Sequence, residues 1–431
     1  MKKQDKTHYL TARESRRVAA ENARQIAELE ARKKRHVAES EYTAHMQDDG
    51  NILEIDDLHT YFFTDSGVVK SVNGVTYSIP KNSVVGVVGE SGCGKSVTAL
   101  SVMQLLQAPQ GQIVSGSIRF RASSYKKDAA GKFIPRLVKN PDGTDATEIV
   151  TLKNGKTETR PVYERDEDGY IRYETEEKVY DIAQMPLSEM RKLRGREIAM
   201  IFQEPMTSLN PVFTIGNQLD EVVLCHVPDA TREQARAKSI EMLTLTGIAM
   251  PEQVYEKYPH ELSGGMRQRV MIAMVLACNP RLIIADEPTT ALDVTIQAQI
   301  LDLLRKAKQK TGGSVMLITH DLGVIAEMAD YVVVMYAGRV IETGTVYEIY
   351  ENPLHPYTIG LQKSRPSIDD DGAELYCIPG SVPNPIDMPD YCFFRDRCNM
   401  RCEACTGKYP GYVQVSPTHR VACWRYAGKE S

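Results

Sequence analysis

Apolar and polar positions divide the chain into stretches of different period. Residues 1–49 alternate charges densely, and Thr11-Ala12-Arg13-Glu14 has the form of a capping box opening a helix rich in Ala, Glu and Arg. Val18, Ile26, Leu29 and Val37 supply only a sparse apolar stripe, which predicts a solvated, loosely docked helix, with a partner-binding helix as the alternative. From Ile52 the pattern changes to short strand-like runs, Ile52-Leu53-Glu54-Ile55, Thr60-Tyr61-Phe62-Phe63 and Val75-Thr76-Tyr77-Ser78-Ile79. They lead to the wholly apolar Val84-Val85-Gly86-Val87-Val88, the pattern of a buried strand. A glycine-rich turn follows, and then Val97-Thr98-Ala99-Leu100-Ser101-Val102-Met103, which can continue as a helix.

Residues 121–183 interrupt this pattern with a polar, tyrosine-bearing segment carrying turn signals at Asp142-Gly143, Asn154-Gly155 and Asp168-Gly169. Alternation of Ile149, Thr151, Thr157 and Thr159 around Asn154-Gly155 predicts a type I′ hairpin within a small β-rich insertion. An apolar strand resumes at 196–202, and helical patterns occupy roughly 214–248. Strand runs return at 281–286, 314–319 and 331–336, separated by helical stretches at 293–311 and 321–329. Strands alternating with helices predict an α/β fold, a largely parallel sheet covered on both faces.

Composition narrows the class. With 431 residues, 42% of them hydrophobic, the chain can bury a sizeable core spread over two or three units. A net charge of −5, with 25% charged residues of both signs, gives no global basic footprint, so no nucleic-acid partner is expected. The longest apolar runs, such as Leu282-Ile283-Ile284-Ala285 and Val332-Val333-Val334-Met335, fall far short of the roughly 20 residues of a membrane span. The N-terminus lacks the apolar core of a secretory signal, which predicts a cytoplasmic protein. Nine cysteines in that compartment are poor disulfide candidates, and those after residue 390 read better as a metal site.

The candidate chemistry centres on Gly89-Glu90-Ser91-Gly92-Cys93-Gly94-Lys95-Ser96, which lies between the buried strand and the helix, the context a P-loop requires. Glycines let backbone N–H groups turn inward around phosphate oxygens, and the helix N-terminus adds roughly half a positive charge facing them. Gly89, Ser91, Gly92, Cys93, Gly94, Lys95, Ser96 and Val97 are therefore expected around the phosphates of ATP, with Lys95 on the terminal phosphates and the Ser96 hydroxyl on Mg2+. Arg281-Leu282-Ile283-Ile284-Ala285-Asp286-Glu287 is an apolar strand ending in two carboxylates. Asp286 fits a magnesium ligand, and Glu287 a general base taking a proton from the attacking water, a role worth roughly 10²- to 10⁴-fold in rate. Leu262-Ser263-Gly264-Gly265-Met266-Arg267-Gln268 is a second glycine-rich helix start, in which Ser263, Gly264 and Gly265 form an anion-binding N-terminus. One nucleotide needs only one cradle, so the second points to a site completed between two chains.

At these residues the chain resembles ATP-binding cassette proteins. Leu262 to Gln268 is similar to their signature motif, Gln203 to the Q-loop glutamine, Ala291-Leu292-Asp293 to the D-loop, and His320 to the switch histidine. The resemblance implies catalytic roles for Glu287, His320, Gln203 and Lys95, with magnesium on Ser96, Gln203 and Asp286. It also implies adenine stacking on an aromatic residue of the first strands, for which Phe62 is preferred to Tyr61 and Phe63. The run from Phe202-Gln203-Glu204 to Asn210-Pro211, Met266, and the tail segments His355-Pro356-Tyr357-Thr358 and Ile378-Pro379-Gly380-Ser381-Val382-Pro383 look like the D-type ATPase of oligopeptide and dipeptide importers. The resemblance covers about residues 52–120 and 184–426, leaving out the first fifty residues and the insertion.

The resemblance implies a P-loop NTPase nucleotide-binding domain with an antiparallel β subdomain, a helical subdomain and a small cysteine-rich extension. The expected division is a charged helical extension at 1–49, an ATPase domain at 50–350 with the insertion at 121–183 and a helical subdomain at about 205–262, and an extension at 351–431. It further implies an F-type partner ATPase, two membrane permeases and a solute-binding protein that delivers cargo, which would hold this chain at the cytoplasmic face of the membrane. A soluble cassette ATPase acting on ribosomes or DNA is the competing reading. In the tail, Cys392, Cys398, Cys405 and Cys423 match positions that can hold a 4Fe-4S cluster in this family, with a zinc site using Cys402 and Cys405, or metal-free thiols, as rivals. The metal is expected to staple the tail without serving ATP chemistry.

Overall fold

The computed structural model describes residues 11–35, 37–151, 155–204, 208–290, 293–364, 376–386 and 388–427. Its strands are β1 (Asn51–Thr64), β2 (Gly67–Pro80), β3 (Val84–Val88), β4 (Gly111–Tyr125), β5 (Thr147–Thr151), β6 (Thr157–Pro161), β7 (Thr175–Asp181), β8 (Ile198–Ile201), β9 (Leu282–Asp286), β10 (Ser314–Ile318), β11 (Tyr331–Tyr336), β12 (Arg339–Thr345), β13 (Val413–Gln414) and β14 (Arg420–Val421). The main sheet runs β13-β14-β12-β11-β3-β10-β9-β8. Its centre is parallel, from β11 through β3, β10 and β9 to β8, and every residue of β3, β9 and β10 is buried. Continuous apolar runs are what a parallel strand covered on both faces requires.

A second sheet, β2-β1-β4-β7, is antiparallel. The two short runs expected at 52–55 and 60–63 are one strand, β1, whose register against β2 shifts between Ile55 and Leu58 and again between Thr60 and Phe62. Such bulges erase the alternation that would have joined the runs. The helical patterns at 214–248 are two helices, Ile215–His226 and Arg232–Leu245. Pro228 cannot continue the first, and Thr231 with Gln234 forms a capping box that opens the second.

The N-terminal helix Ala12–Lys34 has the capping box read from Thr11 and Glu14. It is held more firmly than its sparse stripe predicts, because the buried Asn22 amide donates to the Thr64 carbonyl at 2.8 Å and Gln112 donates to Glu30 at 2.7 Å. In the 121–183 span, β4 runs on to Tyr125 and pairs with β7, so the antiparallel sheet reaches into both ends of the segment. Between them lie short hairpins, bridged at Lys127–Phe133, Lys139–Asp145 and Arg165–Ile171, together with the β5–β6 pair. The type I′ turn expected at Asn154-Gly155 falls partly outside the described residues. The segment also leans on the helix Arg232–Leu245: Lys238, its side chain buried, pairs with Asp168 at 2.8 Å, and the Tyr170 hydroxyl donates to the Gln234 carbonyl.

The C-terminal residues extend the main sheet through Glu342↔Val421 and Thr343↔Arg420. The fully buried Glu342 carboxylate accepts from the Leu354 and His355 N–H groups, the Thr358 hydroxyl and His419 Nε2, which knots the tail to the sheet edge. No helix among the described residues is long and apolar enough to cross a membrane.

Candidate nucleotide site

The loop after β3 depends on two glycines whose neighbours leave no room for a side chain. Gly94 has φ +99°, and a Cβ there would lie 2.3 Å from the Ser71 carbonyl oxygen. Gly89 has φ +152°, and its Cβ would lie 2.2 Å from the Met335 carbonyl oxygen. Gly94 caps the helix Lys95–Val102 in a left-handed conformation, which turns the N-terminus of that helix into the loop. The Lys95 side chain folds into this concavity, where Nζ donates to the Gly89 carbonyl at 2.7 Å and the Glu90 carbonyl at 3.1 Å. Cys93 is buried beneath it, and desolvation pushes its thiol up. Ser91 and Gly92 lie exposed at the lip.

At the end of β9 the Asp286 carboxylate accepts from the Ser96 hydroxyl at 2.9 Å. Desolvation raises the Asp286 pKa, the Ser96 hydrogen bond opposes that shift, and the neighbouring Glu287 charge adds to it. A hydroxyl facing a carboxylate beside a lysine supplies the hard oxygen donors that magnesium prefers, so the residues fit that ion.

Glu287 follows with φ +47°, held there by its N–H bond to the Ile318 carbonyl at 2.9 Å. One of its carboxylate oxygens receives Gln203 Nε2 at 3.2 Å and the Thr290 hydroxyl at 2.8 Å, with His320 Nδ1 at 3.4 Å. Gln203 follows β8, Glu287 follows β9, His320 follows β10 and the glycine loop follows β3. The structure therefore gathers four separated motifs at the carboxyl ends of neighbouring parallel strands, where open α/β sheets bind ligands. Thr290 is an addition to the residues read from the sequence. Its signal was a hydroxyl three positions after Glu287, within reach across a tight turn.

Phe62 is half-buried and packs over Gly111, whose Cβ would stand 2.9 Å from the ring. Of its alternatives, Phe63 belongs to the core and the Tyr61 hydroxyl donates to Asn73. Ser263 caps the helix Gly264–Leu276, with its hydroxyl accepting from the Met266 N–H. Ser263 and Gly264 are exposed, and among the described residues no hydrogen bond joins Ser263, Gly264 or Gly265 to the loop 89–96. Pro205, Met206 and Thr207 of the glutamine segment, and Ala291 and Leu292 of the D-loop, lie outside the described residues.

In the tail, burial pushes the Cys392 and Cys423 thiols up to about 11. Cys423, Cys405 and Cys398 each add charge repulsion at Cys392, while Cys398 and Cys405 do so at Cys423. A fifth cysteine joins them, with Cys402 Sγ 3.5 Å from Cys405 Sγ. Among the described residues no three His, Cys, Asp or Glu side chains are placed to hold one metal ion. The tail also meets the phosphate loop: Arg397 pairs with Glu90 and the Tyr357 hydroxyl accepts from the Glu90 N–H.

Comparison with known proteins accords with this geometry. The family model described as ABC transporter matches residues 72–139 and 157–290, and that described as oligopeptide/dipeptide transporter, C-terminal region, matches 341–405. The oligopeptide transport ATP-binding protein AppD of Bacillus subtilis (strain 168) is 42% identical over 375 residues, covering 87% of this chain and 97% of that protein. The dipeptide transport ATP-binding protein DppD of the same strain is 41% identical over 373 residues, covering 86% of this chain and 94% of its own length. Among solved structures, a dimeric post-hydrolysis state of the ATP-binding cassette MJ0796 bound to ADP and Pi is similar with a TM-score of 0.50 and 21% identity, over 68% of this chain and 98% of that one. That likeness shows the fold.

Proposed function

The chain belongs to the ABC-transporter ATP-binding proteins of oligopeptide and dipeptide importers, and from that premise we propose how its residues bind and hydrolyse ATP. It is the ATPase of a peptide import system, which removes the soluble ribosome- or DNA-directed cassette from consideration. In our reading the loop N–H groups of Gly89 to Ser96 and the Lys95 ammonium hold the phosphates, Val97 extends that helix start, and Phe62 stacks on the adenine. Ser96, Asp286 and Gln203 hold magnesium, which supplies charge neutralisation at the outer phosphates. Glu287 orients and deprotonates water as its oxygen attacks the terminal phosphorus. The bond to the bridging oxygen breaks, its electron pair leaves with ADP, and the water proton passes to the Glu287 carboxylate. Gln203 and His320 keep that carboxylate aimed. Ser263, Gly264 and Gly265 face a nucleotide held by the partner's loop, an F-type ATPase in this reading. Two permeases beneath which the pair docks, and a solute-binding protein that feeds them, place the chain at the cytoplasmic face of the membrane.

The observation that carries this reading is the convergence of Gln203, Thr290 and His320 on one Glu287 oxygen, beside the Ser96–Asp286 pair. Glu287→Gln is expected to keep ATP binding while cutting turnover by at least about a hundredfold, the worth of a general base. Near-normal turnover in that variant, measured by phosphate release, would reject the role of Glu287. The tail carries a second proposal, a 4Fe-4S cluster on Cys392, Cys398, Cys405 and Cys423. It rests on the resemblance of these four positions to the tail of the family, because among the described residues no three such side chains are placed to hold a metal ion. Anaerobically purified protein is expected to contain iron and acid-labile sulfide, both lost in Cys398→Ser. Stoichiometric zinc without sulfide would replace the cluster with a zinc site.

A further inference from the structure

Glu90 is an acidic residue inside the segment read as the phosphate cradle. It follows the first glycine of the phosphate loop, and its carboxylate adds a negative charge to the segment read as holding a polyanionic ligand. Lys95 already bonds its carbonyl at 3.1 Å, so any shift of Glu90 moves the lysine. Two side chains from the tail control it. The Glu90 N–H donates to the Tyr357 hydroxyl at 2.8 Å, and Arg397 Nη1 reaches both carboxylate oxygens, at 3.1 and 3.0 Å.

Arg397 is itself locked. Its side chain is only 7% exposed, and Nε donates to the Pro379 carbonyl at 2.9 Å while Nη1 also reaches the Tyr336 hydroxyl. The Tyr336 and Phe394 rings flank the guanidinium, and Tyr357 packs on both rings. Arg397 also directly precedes Cys398, at the end of the short turn Arg395–Arg397. The tail therefore presents a preorganised cation to the phosphate loop from within the cysteine segment.

We propose that Arg397 is a positioning residue for nucleotide binding: it neutralises and holds the Glu90 side chain while Tyr357 holds the Glu90 N–H, so that ATP affinity depends on a folded cysteine-rich tail. An uncompensated carboxylate near the phosphates repels them, and a close charge of this kind changes affinity by about tenfold at low salt. Repulsion of that origin is screened by added salt, whereas loss of packing is not. The inference rests on the reading of Gly89 to Ser96 as the phosphate cradle, and it assigns the tail a part in ATP binding as well as in assembly.

The test measures the dissociation constant of a fluorescent ATP analogue at low and high salt for the full chain. Trp424, the one tryptophan of the sequence, reports through its intrinsic emission whether the tail remains folded. Arg397→Met is expected to weaken binding about tenfold at low salt and less at high salt, with Trp424 emission unchanged. Adding Glu90→Gln should restore affinity to within about twofold, since the repulsion is then gone. Arg397→Lys should fall between, because an ammonium keeps the charge but cannot reproduce the locked fork. Unchanged affinity in Arg397→Met, or weakening that Glu90→Gln does not rescue, overturns the proposal. Lys95→Ala serves as the separate control. If it too leaves affinity unchanged, the cradle reading itself fails, whereas if it alone weakens binding, only the role of Arg397 fails.

Discussion

Two helices of this chain begin with glycines, and they are finished to different degrees. At the helix Lys95–Val102 the start is buried and internally satisfied, with Lys95 bonded to two loop carbonyls, Ser96 bonded to Asp286, and Gly94 wedged against Ser71. At the helix Gly264–Leu276 the start is open: Ser263 caps its own helix, and a Cβ on Gly264 would meet nothing within 4 Å. The first region is demanding because its own fold surrounds it. The second leaves donors and space unused, which is what a surface looks like when its ligand arrives on another chain. In the proposed reading the two are complementary halves of a site, and the contrast between them can be attacked at each end.

The largest expected effect comes from filling the open half. Ser263→Arg places a long cation where a partner's nucleotide would lie, so hydrolysis in the complex with the partner ATPase should fall by at least about a hundredfold, as when preorganised donors around a phosphoryl group are lost. ATP affinity of this chain's own loop should stay within about twofold, because among the described residues no hydrogen bond connects Ser263 to residues 89–96. Full turnover in the complex, or lost ATP binding in the isolated chain, would show that the two halves do not divide the work this way.

This division was legible in the sequence because each half is contiguous. A strand, a glycine loop and a helix start occupy one short run, and local rules place their N–H groups without knowledge of the rest of the chain. The same holds for Asp286 and Glu287, whose position at the end of an apolar run fixes where they emerge. What escaped were contacts between distant segments. Glu90 meets Tyr357 and Arg397 across 267 and 307 positions, and no periodicity marks such a pair. Lys238 and Asp168, which brace the insertion against the helical region, are an ordinary cation and an ordinary turn residue until the fold buries one against the other. The single strand β1 was read as two because its bulges break the period that defines a strand.

A second way to sharpen the contrast is to measure what each loop glycine is worth to folding. Gly94→Ala combines a left-handed backbone with a Cβ only 2.3 Å from the Ser71 oxygen, so it should destabilise the chain by about 3 kcal/mol in chemical denaturation. Gly92 separates the two contributions, since φ is +76° there but a Cβ would meet nothing within 4 Å. Gly92→Ala should therefore cost only the backbone term, about 1 kcal/mol. Equal losses at the two positions would mean that the Ser71 contact relaxes freely and that the first region is less tightly built than described.

The smallest effect on folding, and the most telling, is expected at Gly264. It is the first helical residue after the Ser263 cap, in ordinary helical backbone, with open space where a side chain would go. Alanine is a better helix former than glycine by up to about 1 kcal/mol in a helix interior and by less at a first turn, so Gly264→Ala should leave stability unchanged or raise it by about 0.5 kcal/mol. Among the described residues nothing requires glycine at that place. If the helix start meets a partner's phosphates, the added methyl must intrude between donor and ligand, and turnover in the paired complex should fall although the denaturation midpoint does not. Unimpaired turnover would leave the glycine without a purpose on either account and would move the partner's nucleotide away from this helix. A marked loss of stability would mean that the open half is closed by its own chain after all.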